Sequence, residues 1–325
     1  MTVRKYWQAV NDALREELAR DERVVIFGED VAKPGGPFGA TRGLREEFGA
    51  SRVRDTPISE AGIVGAAVGA AMTGLRPIAE IMYFDFITLA MDQLVNQAAK
   101  VRYMSGGALS VPMVVRVFCG AGRGSGPQHS QSVESWLGHV PGLRVVAPGD
   151  PAEAKALLKG AIRSPDPVIV LDSSRLWTKR GEVPDGDVVA PIGEARIVRP
   201  GNDVTIVAWS WALSRSLEAA EKLAAQGISA EVVDPRSLNP LDEKSIMDSL
   251  RRTGRLLIVH DAVSTYGPGA EIAALAAGPG FGALRAPVVR LTPPFAPAPF
   301  PSHLEQAYYP QPADIETAAL SLVRG

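Results

Sequence analysis

Short apolar runs alternate with helix-like stretches along the whole 325-residue chain. In the first half the apolar runs are largely β-branched, which is typical of strands buried in a parallel sheet. These candidate strands are 24–27, 77–81, 111–117, 144–147 and 168–171, and the candidate helices between them are 62–73, 85–103 and 151–163. Strand and helix in regular alternation predict an α/β fold with a mostly parallel sheet.

The pattern is interrupted once and then resumes. Residues 173–202 are dominated by glycine, proline and charge, which indicates a linker without regular structure. Beyond it lie candidate strands 204–208, 228–233, 255–259 and 287–291, candidate helices 212–226, 243–252, 270–277 and 313–323, and an extended proline-rich stretch at 293–301. We therefore expect two parallel-sheet α/β domains, 1–185 and 186–325.

Composition narrows the class of function. The chain has 34 basic and 36 acidic side chains, a balance that offers no electrostatic footprint for nucleic acid or an anionic membrane. Its one cysteine, Cys119, cannot form an intrachain disulfide, which favours a reducing compartment. No apolar stretch is long enough to span a bilayer, and the N-terminus lacks an apolar signal core. We expect a cytoplasmic protein with neither nucleic acid nor membrane as partner.

Two glycine clusters fail as dinucleotide sites. In 120–126 (GAGRGSG) the third glycine of G-x-G-x-x-G would fall at Ser125, and no apolar helix follows. The cluster at 267–272 (GPGAEI) also lacks its third glycine. There is no P-loop and no zinc-type spacing of Cys and His, so nicotinamide chemistry is disfavoured.

Two residues stand out as candidates for chemistry. Glu60 begins a helix of small residues, where it could simply interact with the helix dipole or could face a ligand at the carboxyl ends of parallel strands. His129 follows a glycine-rich loop after a buried strand, the setting best suited to proton transfer among the four histidines.

A set of motifs in fixed order then indicates a family. The motifs are 55–63 (DTPISEAGI), 74–77 (GLRP), 92–100 (DQLVNQAAK), 129–132 (HSQS), 139–143 (HVPGL) and 234–242 (DPRSLNPLD). Over residues 3–320 the chain resembles the beta subunit of the thiamine-diphosphate-dependent decarboxylase component of 2-oxoacid dehydrogenase complexes. The resemblance implies a transketolase-like architecture, with a pyrimidine-binding domain followed by a C-terminal transketolase domain, in an alpha2-beta2 heterotetramer.

The resemblance also implies roles for residues. Glu60 would hydrogen-bond the aminopyrimidine ring of thiamine diphosphate and promote its imino tautomer, which removes the proton from the thiazolium carbon. Ile58, Met82 and Phe86 would line the pyrimidine pocket, with Phe86 packing against the ring. His129 would handle protons during acyl transfer to the lipoyl group.

Two ions follow from the same resemblance. Magnesium would be held by a Gly-Asp-Gly motif, which this sequence lacks, so its ligands and the diphosphate half of the site are expected on the alpha subunit. Potassium is expected at Met113 together with Ala161, Ile162, Ser164 and Asp166, although Ser164 stands where relatives often have Asp. The isolated chain should therefore be inactive.

The implied function is oxidative decarboxylation of a 2-oxoacid, with pyruvate favoured and acyl transfer to a dihydrolipoyl acyltransferase core. Alternatives are the beta subunit of an acetoin or branched-chain 2-oxoacid dehydrogenase, and a non-catalytic scaffold that docks to such a core. The segments 171–177 (LDSSRLW) and 260–268 (HDAVSTYGP) depart from the family pattern, which leaves their effect on docking open.

Overall fold

The structure is a computed structural model that describes residues 1–33, 35–36, 38–120 and 122–325. The chain forms two compact units. The first comprises Met1–Cys119 and Trp136–Ile192, and the second comprises Gly120–Ser135 and Gly193–Gly325. The domain limits 1–185 and 186–325 stay a prediction about the folding units.

The elements up to residue 183 are β1 Thr2–Lys5, α1 Tyr6–Arg20, β2 Val24–Gly28, α2 Leu44–Phe48, β3 Val53–Asp55, α3 Glu60–Met72, β4 Arg76–Ile81, α4 Val101–Met104, β5 Val114–Cys119, α5 Glu134–Gly138, β6 Arg144–Val146, α6 Pro151–Arg163, β7 Val168–Ser173 and β8 Arg180–Val183. In the first unit, strands run in the order β6-β7-β5-β4-β2-β3, and every neighbouring pair is parallel. β4, β5 and β7 are almost entirely buried, as their continuous apolar runs predict.

The remaining elements are β9 Arg196–Arg199, β10 Val204–Ala208, α7 Ser210–Ala224, β11 Ala230–Asp234, β12 Ser237–Asn239, α8 Glu243–Thr253, β13 Leu256–Val259, α9 Gly269–Ala277, β14 Val289–Leu291, α10 Ser302–Tyr308 and α11 Pro312–Arg324. In the second unit, the five-stranded sheet has the order β14-β13-β10-β11-β9, in which only β9 is antiparallel to its neighbour. α7 and α11 pack together over this sheet. The expected α/β class with mostly parallel sheets is confirmed in both units.

Two predictions of secondary structure are wrong. Residues 85–103 do not form one helix, because a 3₁₀ segment, Phe84–Ala90, and a π segment, Gln93–Ala98, precede the short α4. The π segment lies against α3, where the Cγ atom of Gln93 is 3.5 Å from the position that a Cβ atom on Gly65 would take. The π segment thus packs on the small-residue face of α3, where the sequence pattern had predicted one continuous α-helix.

The segment predicted as a linker also contains strands. β8 pairs antiparallel with β1, and β9 pairs antiparallel with β11. Both strands lie at sheet edges and are largely exposed or half-buried, so no apolar period marks them in the sequence. Among the described helices, none is long and apolar enough to cross a membrane.

Candidate active site

The loops after β2 and β3 meet at the carboxyl edge of the first unit's sheet. The N–H of Thr56 donates to the carbonyl oxygen of Gly28 at 3.0 Å, and the N–H of Ala32 donates to Oδ1 of Asp55 at 2.6 Å. These bonds tie the residues following β2 to the segment that leads into α3. Ligands of parallel α/β sheets bind outside this edge.

Glu60 is the first residue of α3 and is only 5% exposed. Its carboxylate accepts no hydrogen bond from the described residues. Glu29, directly after β2, is also buried, and its Oε1 atom has no hydrogen-bond partner among the described residues. Burial raises the pKa of Glu29, and the nearby charge of Glu60 raises it further. A buried carboxylate oxygen without a donor is costly, so Glu29 indicates a place prepared for a ligand beside Glu60.

The other residues expected around the pyrimidine ring lie in different settings. Met82 directly follows β4, and Phe86 lies in the 3₁₀ segment that packs against α3. Both are half-buried, and Phe86 contacts Tyr83 edge to face at 6.2 Å. Ile58 instead is 81% exposed just before Glu60. Single exposed apolar side chains are common on protein surfaces, so this exposure alone does not support the expected contact with the ring.

A buried ion network crosses the same end of the sheet. Arg116 of β5 lies 2.5 Å from Asp172 of β7 and also pairs with Glu80 of β4. The hydroxyl of Tyr6 donates to Asp172 at 2.7 Å. Glu80 is the register partner of Gly28. One guanidinium thus pairs with two buried carboxylates. One of them, Glu80, lies on the strand next to β2, which Glu29 follows.

His129 lies in the second unit. The segment 122–133 has no helix or strand, which confirms the predicted loop for the residues described there. Its ends are held by two backbone hydrogen bonds, from Gly120 to Gln131 and from His129 to Gly126, each of 3.2 Å. His129 is half-buried. The backbone of His129 is therefore held by a hydrogen bond, while its half-buried side chain stays partly accessible to solvent.

Glu134, five residues beyond His129, is a functional candidate that the sequence did not reveal. It is 5% exposed, and burial, with the charge of Asp261, raises its pKa to about 7. The indole of Trp209 donates a hydrogen bond to it. A glutamate in a polar segment gives no sign of such burial.

Glu29 is a second candidate that the motifs did not single out, but the sequence did carry a signal for it. A carboxylate directly after a buried strand lies at the edge of the sheet where α/β sites form.

The backbone oxygens expected to hold potassium already accept hydrogen bonds. Nη1 of Arg76 donates to the oxygens of Ile162 and Ser164 at 2.7 and 3.0 Å. The oxygen of Met113 accepts from the N–H of Val168 at 3.0 Å. That of Ala161 accepts from the Ser164 N–H at 3.2 Å.

Asp166 completes this set and is also engaged. Its Oδ1 lies 2.5 Å from Arg102 and its Oδ2 lies 2.7 Å from Arg144, while its backbone oxygen accepts from the hydroxyl of Ser164 at 3.0 Å. A potassium ion would have to share its ligands with three guanidinium groups. The contacts give potassium no support, and it stays a prediction of the resemblance. No group of three or more His, Cys, Asp or Glu side chains within the described ranges could hold a metal ion.

Comparison with known proteins places both units. Residues 3–178 match the family model for the transketolase pyrimidine-binding domain, and residues 193–315 match that for the transketolase C-terminal domain. Among solved structures, a split-gene transketolase described as an inactive beta4 tetramer is 24% identical, has a TM-score of 0.80, and matches over 98% of this chain and 97% of its own.

Three relatives match over nearly the full length. The acetoin:2,6-dichlorophenolindophenol oxidoreductase subunit beta of Bacillus subtilis is 46% identical over 97% of this chain and 96% of its own. The mitochondrial pyruvate dehydrogenase E1 component subunit beta of Dictyostelium discoideum is 45% identical, with 98% and 90% covered. The 2-oxoisovalerate dehydrogenase subunit beta of Bacillus subtilis is 42% identical, with 99% of each chain covered.

Proposed function

Because the chain belongs to the family of 2-oxoacid dehydrogenase E1 beta subunits, built from transketolase pyrimidine-binding and C-terminal domains, we propose that it provides the pyrimidine half of a thiamine-diphosphate site. With an alpha subunit it decarboxylates a 2-oxoacid oxidatively and passes the acyl group to a lipoyl group. The observation that carries this function is the buried Glu60 carboxylate, which has no donor among the described residues and lies beside Glu29.

Thiamine diphosphate, when bound, would supply a carbon nucleophile for the 2-oxo carbon and a place for the electron pair released with CO₂. Glu60 would share a proton with a nitrogen of the aminopyrimidine ring, and beside it lies Glu29, whose pKa is raised by burial and by the charge of Glu60. Met82, Phe86 and Ile58 give the ring an apolar surround. These side chains therefore orient the ring and manage one proton.

His129 acts at the later step, in which the acyl group moves to the lipoyl group. The lipoyl S–S bond would break as one sulfur bonds the acyl carbon, that carbon would give up its bond to the cofactor and the proton on its oxygen, and the other sulfur would take up a proton. The electron pair left by decarboxylation reduces the disulfide. His129 supplies the proton, a task suited to an imidazole near neutral pH.

The diphosphate half belongs to the alpha subunit. A diphosphate needs its charge neutralised by magnesium held by carboxylate and carbonyl oxygens. The Gly-Asp-Gly motif of the family is absent from this sequence. We therefore place the magnesium ligands on the alpha subunit of an alpha2-beta2 heterotetramer, which docks to a dihydrolipoyl acyltransferase core in the cytoplasm. The chain alone should show no turnover with thiamine diphosphate and magnesium.

We propose pyruvate as the first substrate, because the sequence motifs favour it among the 2-oxoacids. Acetoin is the second, since subunits of acetoin oxidoreductases from two bacteria are 46% and 44% identical to this chain. The test is to co-express the chain with its alpha subunit and measure turnover of pyruvate, acetoin and branched-chain 2-oxoacids side by side. A rate with one of them identifies the substrate, whereas a stable heterotetramer without any rate would overturn the proposal in favour of a scaffold.

A further inference from the structure

The loop that carries His129 is fastened to a buried carboxylate of α10. Oε1 of Glu305 accepts a hydrogen bond from the N–H of Gly122 at 2.8 Å and a longer one from the N–H of Gly124 at 3.4 Å. Glu305 is 1% exposed, and it is the buried residue of a seven-residue helix. Burying a carboxylate this deeply costs free energy unless hydrogen bonds such as these satisfy its oxygens.

The backbone of the loop is shaped to make this contact. Gly122 and Gly124 have φ values of +128° and +64°, which lie in the left-handed region that L side chains rarely adopt. Two N–H groups separated by one residue converge on one oxygen, as in the anion-binding concavity called a nest. Here the anion is the chain's own Glu305. A side chain at either glycine would strain the conformation on which the contact depends.

The same stretch is also backed by Phe300, just before α10. A Cβ atom on Gly126 would lie 3.3 Å from the Phe300 ring, and one on Gly124 would lie 3.4 Å from its carbonyl oxygen. Gly126 in turn accepts the hydrogen bond from the N–H of His129. A chain of contacts thus leads from Glu305 through three glycines to the backbone of His129.

We propose that Glu305 is a positioning residue that holds the glycine loop in the conformation from which His129 protonates the lipoyl sulfur. This inference rests on the proposed role of His129. Without the carboxylate, two amides lose their acceptor and the glycines regain conformational freedom. Because a displacement of about 1 Å can cost about a hundredfold in rate, loosening the loop should slow acyl transfer.

The test compares Glu305→Ala and Glu305→Gln with Gln306→Ala, an exposed neighbour on the same helix. Each variant is assembled with the alpha subunit and thiamine diphosphate. Two rates are measured with the same 2-oxoacid: reduction of an artificial dye, which needs no acyl transfer, and reductive acylation of a lipoyl domain. Loop mobility is followed by amide exchange of the peptide containing Gly122 and Gly124, and by tryptic cleavage after the exposed Arg123.

We expect Glu305→Ala to speed loop exchange and cleavage about tenfold or more and to slow lipoyl acylation about ten- to a hundredfold, with the dye rate within about threefold of wild type. Glu305→Gln keeps a carbonyl oxygen as acceptor, so it should recover most of the lipoyl rate. Gln306→Ala should match wild type in all readouts.

Equal loss of both rates in Glu305→Ala would mean a merely structural role and would overturn the proposal, as would unchanged loop exchange. If Glu305→Ala does not assemble, Glu305→Gln decides: a lipoyl rate lost while loop exchange stays at the wild-type level, or loop exchange speeded while the lipoyl rate stays at the wild-type level, counts against positioning. A wild-type complex inactive with both acceptors would instead overturn the proposed function, and the exchange data would then report on the loop contact alone.

Discussion

Glu29 and Glu60 place two buried carboxyl groups beside each other at the carboxyl edge of the first sheet. Burial raises the pKa of Glu29, and the negative charge of Glu60 adds to the rise. Neither carboxylate receives a hydrogen bond from the described part of the chain. The protonated form of Glu29 is therefore favoured beside the carboxylate of Glu60.

Glu29→Gln should stabilise the protein at pH 8. The folded pKa of Glu29 lies above its unfolded value, so its contribution to stability is fully present below the unfolded pKa and is lost as pH rises through the folded one. The amide of a glutamine does not ionise, so the Glu29→Gln variant does not lose stability as pH rises. Urea unfolding should show the variant more stable than wild type at pH 8 and close to it at pH 4, while the exposed Glu22→Gln changes neither. A variant less stable at pH 8 would contradict the account of this pair.

Glu134→Gln tests the second raised carboxyl group. With a folded pKa of about 7 against an ordinary value of 4.5, Glu134 makes the protein lose up to about 3 kcal/mol of stability as pH rises from about 4.5 to 8. The variant should lack most of this slope. The check is urea unfolding across that range beside Glu221→Gln, an exposed control. An unchanged slope would show that Glu134 titrates as an ordinary surface group.

Arg116→Met should be among the most destabilising single changes in the first unit. It leaves the buried Glu80 and Asp172 without their shared cation, which costs about 3–5 kcal/mol where a buried ion pair is broken. Asp172→Asn keeps the Tyr6 contact possible and removes the excess negative charge, so it should cost much less. Thermal melting of both variants measures the difference. Equal losses would argue against a charge-based role for the network.

The thermal midpoint should be the same in potassium and sodium chloride at about 0.1 M. An ion bound with a dissociation constant of about 1 mM would add about 2.7 kcal/mol at that concentration, which would raise the midpoint by several degrees. Arg76, Arg102 and Arg144 already engage three of the five expected ligands. A midpoint specifically higher in potassium would show that the ion binds in spite of these contacts.

The sequence predicted the two α/β sets because short continuous apolar runs, as in β7, alternate with longer helix-like stretches, as in α6. It missed the edge strands β8 and β9 because half-exposed edges need no apolar period. It pointed to Glu60 through a motif, but Glu134 and Glu305 become visible only through burial among residues distant in the chain. Tertiary contacts, not local pattern, define such groups.

The most direct measurement is the turnover of the assembled Glu60→Gln variant with alpha subunit, thiamine diphosphate and magnesium, on the substrate that wild type uses. A glutamine cannot hold the proton assigned to the Glu60 carboxyl group, and general acid–base groups contribute about 10²–10⁴ in rate. We predict a heterotetramer that still forms and a rate at least about a hundredfold below wild type, with the Glu22→Gln control unaffected. A Glu60→Gln complex that turns over at the wild-type rate would contradict the assignment of this residue to the cofactor.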